Sequence, residues 1–325
     1  MSSRDPSRIV DVLCGYWQTA ALVAAIDLGV FTALGGRART ASQLAVACRA
    51  DRASLERLCD FLVSVGLLRS AGGRYRAAAD ATRFLDARSP ESLAAIAGWF
   101  NAPPVSTAFA DLAATVSGAR TAASRRVWPG FAASTLTLRR RVAKEIASVL
   151  VQRRLRGGRI LDVGAGASPL GIDLLRRWPD ATLVARDRAS VLKIARQHAE
   201  TAGVSGRMET VAGDLLQSEW SGPFDVVLMV NVLDYFDGPA QRRLLGKACR
   251  ALRPGGTLVI VAPLFDAGRR SPPETVAYDL LLLALGSSAR PATWRERQQQ
   301  LRRAGFGMVS RSAGAGIVLG RTRSR

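Results

Sequence analysis

The sequence predicts an α/β protein in which a mostly helical domain of winged-helix pattern precedes a doubly wound parallel sheet of seven strands. Three observations predict it. From Arg159 onward, short apolar runs alternate with helical segments, as strands joined by crossover helices do. One of those runs, Ile160-Leu161-Asp162-Val163, feeds straight into the glycine turn Gly164-Ala165-Gly166. The first hundred residues read instead as helix, helix, helix, hairpin. A length of 325 residues suits two domains at roughly 100–200 residues each. Their expected limits are 1–90 and 159–325, with a helical connector over 91–158.

The elements follow in order. Val12–Leu34 is rich in alanine and leucine, breaks at Gly29 and stops at Gly35-Gly36. Thr40 stands as a cap before a helix through Gln43-Leu44-Ala45. A second helix after Asp51 sets Leu55, Leu58, Cys59, Leu62 and Val63 on one face. Gly66-Leu67-Leu68, Gly72-Gly73 and Arg74-Tyr75-Arg76 outline a small hairpin. Such a pattern can read DNA through its second helix, and it also occurs as a plain packing module. In the connector, Val142, Ile146, Val149 and Leu150 form an apolar stripe closed by Arg156-Gly157-Gly158. Strand candidates come at 160–163, 181–185, 208–211, 225–230 and 257–262, with helices over 170–178, 189–202 and 239–252. A helix near 275–285, a polar helix at 294–304 and two strands near 306–312 and 317–321 complete the chain.

Composition excludes several classes. No apolar run reaches the roughly 18 residues of a membrane span; the longest, Val12–Ile26, is interrupted by Gln18 and Thr19. The N-terminus mixes charges and lacks the compact apolar region of a signal peptide. Cys14, Cys48, Cys59 and Cys249 show no CxxC spacing, so a reducing, cytoplasmic setting is expected. One histidine and scattered cysteines supply no zinc set. The net charge of +20 raises the question of nucleic acid. However, 43 of the 46 basic residues are arginine, which points to codon composition, and residues 1–100 hold 12 Arg against 9 Asp and Glu. The excess is spread out, so no nucleic-acid partner is expected.

The glycine turn is the strongest signal. Glycines there let the backbone bend tightly and approach a ligand, and a side chain at Gly164 would stand in the ligand's path. A dinucleotide fingerprint would place a third glycine at 169, where Pro169 stands; the next is Gly171. Asp187, 21 residues after Gly166, lies just past the second strand, where a carboxylate accepts from a ribose diol. Gly213-Asp214-Leu215 follows the third strand, within reach of an adenine edge. Each acid alone reads as a solvated loop residue or a helix cap. Together they line the rim where open α/β sheets bind ligands.

In these marks the sequence resembles the class I S-adenosylmethionine-dependent small-molecule O-methyltransferases that carry an N-terminal winged-helix dimerisation domain. The N-terminal resemblance lies in Ala24–Phe31, Gln43-Leu44-Ala45 and Val65–Leu68. The C-terminal one lies in Asp162–Gly166, Gly213-Asp214, Asn231-Val232-Leu233, Leu252–Gly256 and Ala304-Gly305-Phe306. It implies a Rossmann-like seven-stranded methyltransferase sheet, S-adenosyl-L-methionine as cofactor, a small-molecule acceptor and a homodimer formed through the N-terminal domain. The implied cofactor residues are Asp162, Gly164, Gly166, Asp187, Arg188, Gly213, Asp214, Leu215 and Asn231. The segments that wall the acceptor site hold Trp99, Phe100, Asn101, Trp128, Tyr235, Phe265 and Tyr278. Taken singly, each of these reads as core.

The pattern breaks at the base. Members that methylate hydroxyls carry a histidine in an Asn-Val-Leu-His-Asp-Trp-like stretch, and here Asp234 stands in that place. A supporting glutamate after the fifth strand is also absent, with Ala262-Pro263 there instead. His198, the single histidine, sits on a helix away from that rim and reads as a surface or packing residue. Two routes stay open: Asp234 acts as a weak base with a raised pKa, or the acceptor activates itself. The plain structural reading of Asp234 is a helix cap, a role that suits Asp237 better. Methyl transfer to a hydroxyl, activated carbon or amine of an aromatic or polyketide-like metabolite is the leading expectation. A non-methylating enzyme that uses the same cofactor, or a winged-helix regulator, are the alternatives.

Overall fold

Helix α1 (Ser7–Asp27) is built from alanine and aliphatic residues and ends where Gly29 takes a left-handed φ of 71°, which frees the chain to turn into α2 (Val30–Leu34). In this computed structural model residues 5–118, 127–152, 158–312 and 316–323 are described. They fall into two compact units, Met1–Ala102 and Pro103–Arg325. The segment expected as a connector is thus divided between the two units, and Arg156 and Gly157 lie outside the described residues.

In the first unit, β1 (Arg39–Thr40) leads into α3 (Ala41–Cys48), whose start is closed by a capping box between Thr40 and Gln43. Asp51 caps α4 (Arg52–Ser64) by accepting from the Ser54 N–H at 2.8 Å. The hairpin strands β2 (Leu68–Ala71) and β3 (Arg74–Ala77) pair antiparallel, and β1 joins β3 on its other edge. Helices α5 (Ala79–Leu85) and α6 (Ala94–Phe100) follow. Phe31, Leu34, Leu44, Leu55, Leu62 and Leu68 make the core.

One expectation is corrected here. The expectation that Gln18 and Thr19 keep this apolar stretch short of a membrane span does not hold, because neither is charged and α1 runs on through both. At 21 residues, α1 is long and apolar enough to cross a membrane by length and composition. It buries only Val23 and Ala25 and leaves Ile9, Val12, Leu13, Tyr16 and Trp17 largely exposed.

The second unit opens with α7 (Pro103–Ala110), α8 (Leu112–Val116), α9 (Val127–Ser134) and α10 (Leu136–Gln152). Then come β4 (Arg159–Val163), α11 (Pro169–Arg177), β5 (Thr182–Asp187), α12 (Ala189–Thr201) and β6 (Met208–Ala212). After these the chain forms β7 (Phe224–Val230), α13 (Gly238–Ala251), β8 (Leu252–Val261), α14 (Pro273–Ala284), α15 (Trp294–Arg303), β9 (Met308–Arg311) and β10 (Ile317–Arg321). The sheet order is β6-β5-β4-β7-β8-β10-β9, with β4 to β8 parallel and the last two strands antiparallel.

Period-2 alternation divides the strand residues between two cores. Leu161, Val227, Met229, Leu258 and Ile260 face α13 and α15, meeting Leu244, Leu245, Ala248 and Leu301. Ile160, Val226, Leu228 and Val259 face α10 and α11, meeting Ile146, Leu150, Leu170 and Leu174. The chain runs outward from β4 through β6 and then returns to β7 on β4's other side. That reversal makes the C-terminal ends of β4, β5 and β7 a topological switch point.

Candidate active site

The loop leaving β4 holds Gly164 at φ 65°, Gly166 at φ 58° and Ser168 at φ 50°. The buried Ser168 hydroxyl donates to Asp162 Oδ2 at 2.6 Å, while Asp162 Oδ1 is buried without a partner. Burial pushes the Asp162 carboxyl up to about 7, against the opposing Ser168 bond. A Cβ on Gly171 would lie 2.6 Å from Ser168 Oγ and 2.9 Å from Leu183 Cδ2. Gly171 therefore lets α11 close onto β4 and β5, the packing task of a fingerprint's third glycine, two positions later than expected.

Gly166 and Gly164 differ. A Cβ at Gly166 meets nothing within 4 Å, whereas one at Gly164 would collide with Val232 Cγ2 and lie 3.6 Å from Leu215 Cδ1. A side chain at 164 would strike Val232 first. The open face belongs to Gly166.

Asp187 is the last residue of β5, and its carboxylate accepts from the Gly166 N–H at 2.9 Å and its own neighbour Arg188 N–H at 2.7 Å. Burial pushes its pKa up, opposed by those two bonds. The Arg188 side chain is exposed. Gly213 N–H donates to the Asp187 carbonyl at 3.1 Å, which ties the Asp214–Leu215 turn to β5. Asn231 follows the last residue of β7 with φ 50°, its N–H donating to the Val261 carbonyl at 2.7 Å.

His198 takes the packing alternative of its two expected roles. It is buried on α12, with Nδ1 at 2.8 Å from the Ala167 carbonyl and Nε2 accepting from Arg140 Nε at 2.9 Å. Those partners require the Nδ1–H tautomer, and burial holds its pKa below the ordinary histidine value. The imidazole thus braces the back of the glycine loop. Its chemical rarity in the chain was the available signal.

Asp234 lies in a short 3₁₀ turn (Leu233–Tyr235) after β7 and is fully buried. Its Oδ1 accepts from Arg297 Nη2 at 3.1 Å, and Arg297, on α15, is equally sealed. Arg297 Nη1 reaches Gln300 at 2.9 Å and Gln241 at 3.4 Å, completing a polar knot between α13 and α15. Burial raises the Asp234 pKa to about 6, while Arg297 pulls it down. Asp237, not Asp234, caps α13, accepting from the Ala240 N–H at 2.8 Å.

Tyr235 follows on the same turn, and the buried Tyr278 hydroxyl comes from α14. Burial raises both phenols, and Arg139 of α10 pulls both back. Tyr235, Tyr278, Asp234 and Arg297 therefore form one cluster beside the rim. Phe265 is buried beneath the guanidiniums of Arg269 and Arg290. Trp99 is buried in the first unit, edge-on to Phe100, and Asn101 is an exposed helix end there. Trp128 lies in α9, but its side chain is outside the described residues. A cleft of about 660 Å³ runs along α14 past Val276, Leu280 and Leu283, and no rim residue lines it.

Comparison with known proteins fits this geometry. Residues 137–307 match the O-methyltransferase domain model, and residues 10–87 match the O-methyltransferase dimerisation domain model. The 3-hydroxy-5-methyl-1-naphthoate 3-O-methyltransferase of Streptomyces sahachiroi is 29% identical over 322 residues, 94% of this chain and 90% of that one. A protein of Nostoc punctiforme assigned as an O-methyltransferase superposes with a TM-score of 0.93 at 26% identity, covering 98% of this chain and 100% of its own. Human N-acetylserotonin methyltransferase, solved with S-adenosylmethionine, shares the fold with a TM-score of 0.84 at 22% identity and full coverage of both chains. With a doubly wound sheet, a glycine loop at its switch point and both family models matched in order, the chain belongs to the S-adenosylmethionine-dependent O-methyltransferases that carry an N-terminal dimerisation domain.

Proposed function

We propose that the chain works as a homodimer joined through its N-terminal unit and methylates a small aromatic or polyketide-like metabolite without a histidine base. A hydroxyl is the favoured acceptor, and an activated ring carbon or an amine is open to the same chemistry. The rim suits the cofactor's groups. The unpartnered Asp162 Oδ1 matches an ammonium, Asp187 a ribose diol, and Asp214 with Leu215 an adenine, while the open side of Gly166 allows close backbone approach. When bound, the cofactor supplies a sulfonium-activated methyl group for direct displacement. The naphthoate-methylating relative and the neighbouring aromatic rings of Tyr235 and Tyr278 support a ring-shaped acceptor.

The observation that carries the base-free reading is the sealed Asp234–Arg297 pair. A general base contributes about 10²–10⁴-fold, on the order of 3–5 kcal/mol. Both side chains are sealed from solvent and Asp234 Oδ1 is already held by Arg297, so Asp234 presents no exposed oxygen to an acceptor hydroxyl and gains the reaction little. Alignment of acceptor and methyl group, by contrast, supplies roughly 7–11 kcal/mol. An ordinary phenol, with a pKa near ~10, is ionised in about one molecule per thousand at neutral pH. An acceptor whose hydroxyl is acidified by a neighbouring carbonyl or ring nitrogen removes that shortfall itself.

Incubation of the purified protein with labelled cofactor and extracts of the producing cells, read by mass spectrometry, should yield a product one methyl heavier. A pH–rate series on two hydroxyaryl acceptors of different acidity then tests the base. The rate should follow each acceptor's own ionisation. A shared inflection near pH 6 for both would assign proton removal to Asp234 and overturn the base-free reading.

A further inference from the structure

Only three of the 46 basic residues are lysine, and one of them, Lys247, is buried beside the turn that follows β6. It lies on α13 and is 9% exposed. Its ammonium donates to three backbone carbonyls, those of Leu215 at 3.1 Å, Leu216 at 3.0 Å and Ser218 at 2.6 Å. The same ammonium stands 5.2 Å from the centre of the Trp220 ring. Three donors on one point meet three converging acceptors one to one, which the planar fork of arginine does not do.

These carbonyls end a single helical turn. The Ser218 N–H donates to the Asp214 carbonyl at 2.9 Å, and the Asp214 carboxylate accepts from the N–H groups of Leu216 at 2.8 Å and Gln217 at 3.2 Å. Asp214 therefore closes the turn's N–H end and Lys247 its carbonyl end. The turn presents Leu215 towards Gly164 and hangs from β5 through Gly213. Burial lowers the Lys247 pKa, and the Glu219 and Asp214 carboxylates oppose that shift.

We infer that Lys247 is a positioning residue for the nucleoside end of the cofactor, its ammonium preforming the Asp214–Ser218 turn so that Asp214 and Leu215 stand ready before the ligand arrives. The inference rests on the reading of that turn as the adenine side. A preformed site avoids an ordering cost on binding, and loss of the clamp restores it.

The test is calorimetric titration of S-adenosylhomocysteine into the unaltered protein, Lys247→Met and Lys247→Arg. The unaltered protein should bind, Lys247→Met should bind about tenfold more weakly or worse, and Lys247→Arg should recover only part of the loss. In turnover, KM for the cofactor should rise while kcat and the acceptor KM hold. A merely structural lysine would lower the melting temperature and leave affinity unchanged well below it. Binding by Lys247→Met within about twofold of the unaltered protein would overturn the inference alone. Absence of binding to the unaltered protein would overturn the cofactor reading and this inference with it. If neither variant folds, hydrogen exchange on the unaltered protein decides. Slow exchange at Leu216, Gln217 and Ser218 before ligand is added supports preformation, and fast exchange that slows only with ligand overturns it.

Discussion

Asp162 shows how one buried carboxyl can sit in the fold at the expense of stability. Its carboxyl rises from 3.8 to about 7 on burial, so the folded chain holds that proton more tightly than the unfolded chain. Below about pH 3 both states are protonated and the group is neutral to folding. As pH climbs towards 7 the unfolded carboxyl ionises first, and stability drains away. Asp162→Asn removes that loss and keeps the acceptor for Ser168. Without ligand, the variant should melt above the parent at pH 8, and the gap should close towards pH 4; melting curves across that range check it, and a constant gap would refute the burial account. The variant should bind S-adenosylhomocysteine more weakly, since an amide replaces the carboxylate. Asp234 has a cation beside it, yet burial outweighs Arg297 and holds its pKa at about 6. Asp234→Asn should therefore cost little stability above pH 6, and Asp234→Leu combined with Arg297→Met, which removes both buried charges, should leave stability unchanged or raise it by about 1–4 kcal/mol. Per folded molecule, Asp234→Asn should slow methylation of an acidified acceptor by less than about tenfold, since only alignment is disturbed. Denaturant titration and initial rates separate the two effects.

At the scale of elements, the alternation of the strands and the 3/4 spacing of the helices were legible from Arg159 onward. One strand face and one helix stripe suffice to specify each piece; most bounds differ by one or two residues, and the largest departure is β8, which starts at Leu252 and not at Thr257. The glycine loop and Asp187 were legible for the same reason: their meaning depends on neighbours within some twenty positions. What was not legible couples distant positions. Arg297 reaches Asp234 across 63 positions, His198 reaches Ala167 across 31, and Lys247 reaches Ser218 across 29. No local pattern marks such pairs; only the scarcity of histidine and lysine hinted at two of them. Gly171 belongs to this group, because its need for a bare Cα is set by Ser168 and Leu183 together. Gly171→Val should push α11 off the sheet and cost about 1–3 kcal/mol as overpacking. Urea unfolding should show a lower midpoint at unchanged slope. Cofactor affinity should fall in step, because the same helix start carries Ser168.

For the whole molecule the decisive surface is α1. Ile9, Val12, Leu13, Tyr16 and Trp17 recur at steps of three and four, so they form one stripe, and each is at least 61% exposed. A stripe this apolar needs a cover, and α1 alone would satisfy the length rule for a membrane span. The dimerisation-domain match over residues 10–87 includes most of the stripe, which favours a second copy as the cover. In a two-fold interface the same patch meets itself, so every substitution acts twice. Leu13→Glu with Trp17→Glu would bring four carboxylates into one apolar seam, where unpaired charges cost several kcal/mol each after relaxation. We therefore expect the unaltered protein to remain in the aqueous fraction and to scatter light as twice the 34.7 kDa chain. The double variant should scatter as a single chain at micromolar concentration, with the fold of each unit intact by circular dichroism. Partition of the unaltered protein into detergent micelles, or an unchanged dimer in the double variant, would move the interface off α1.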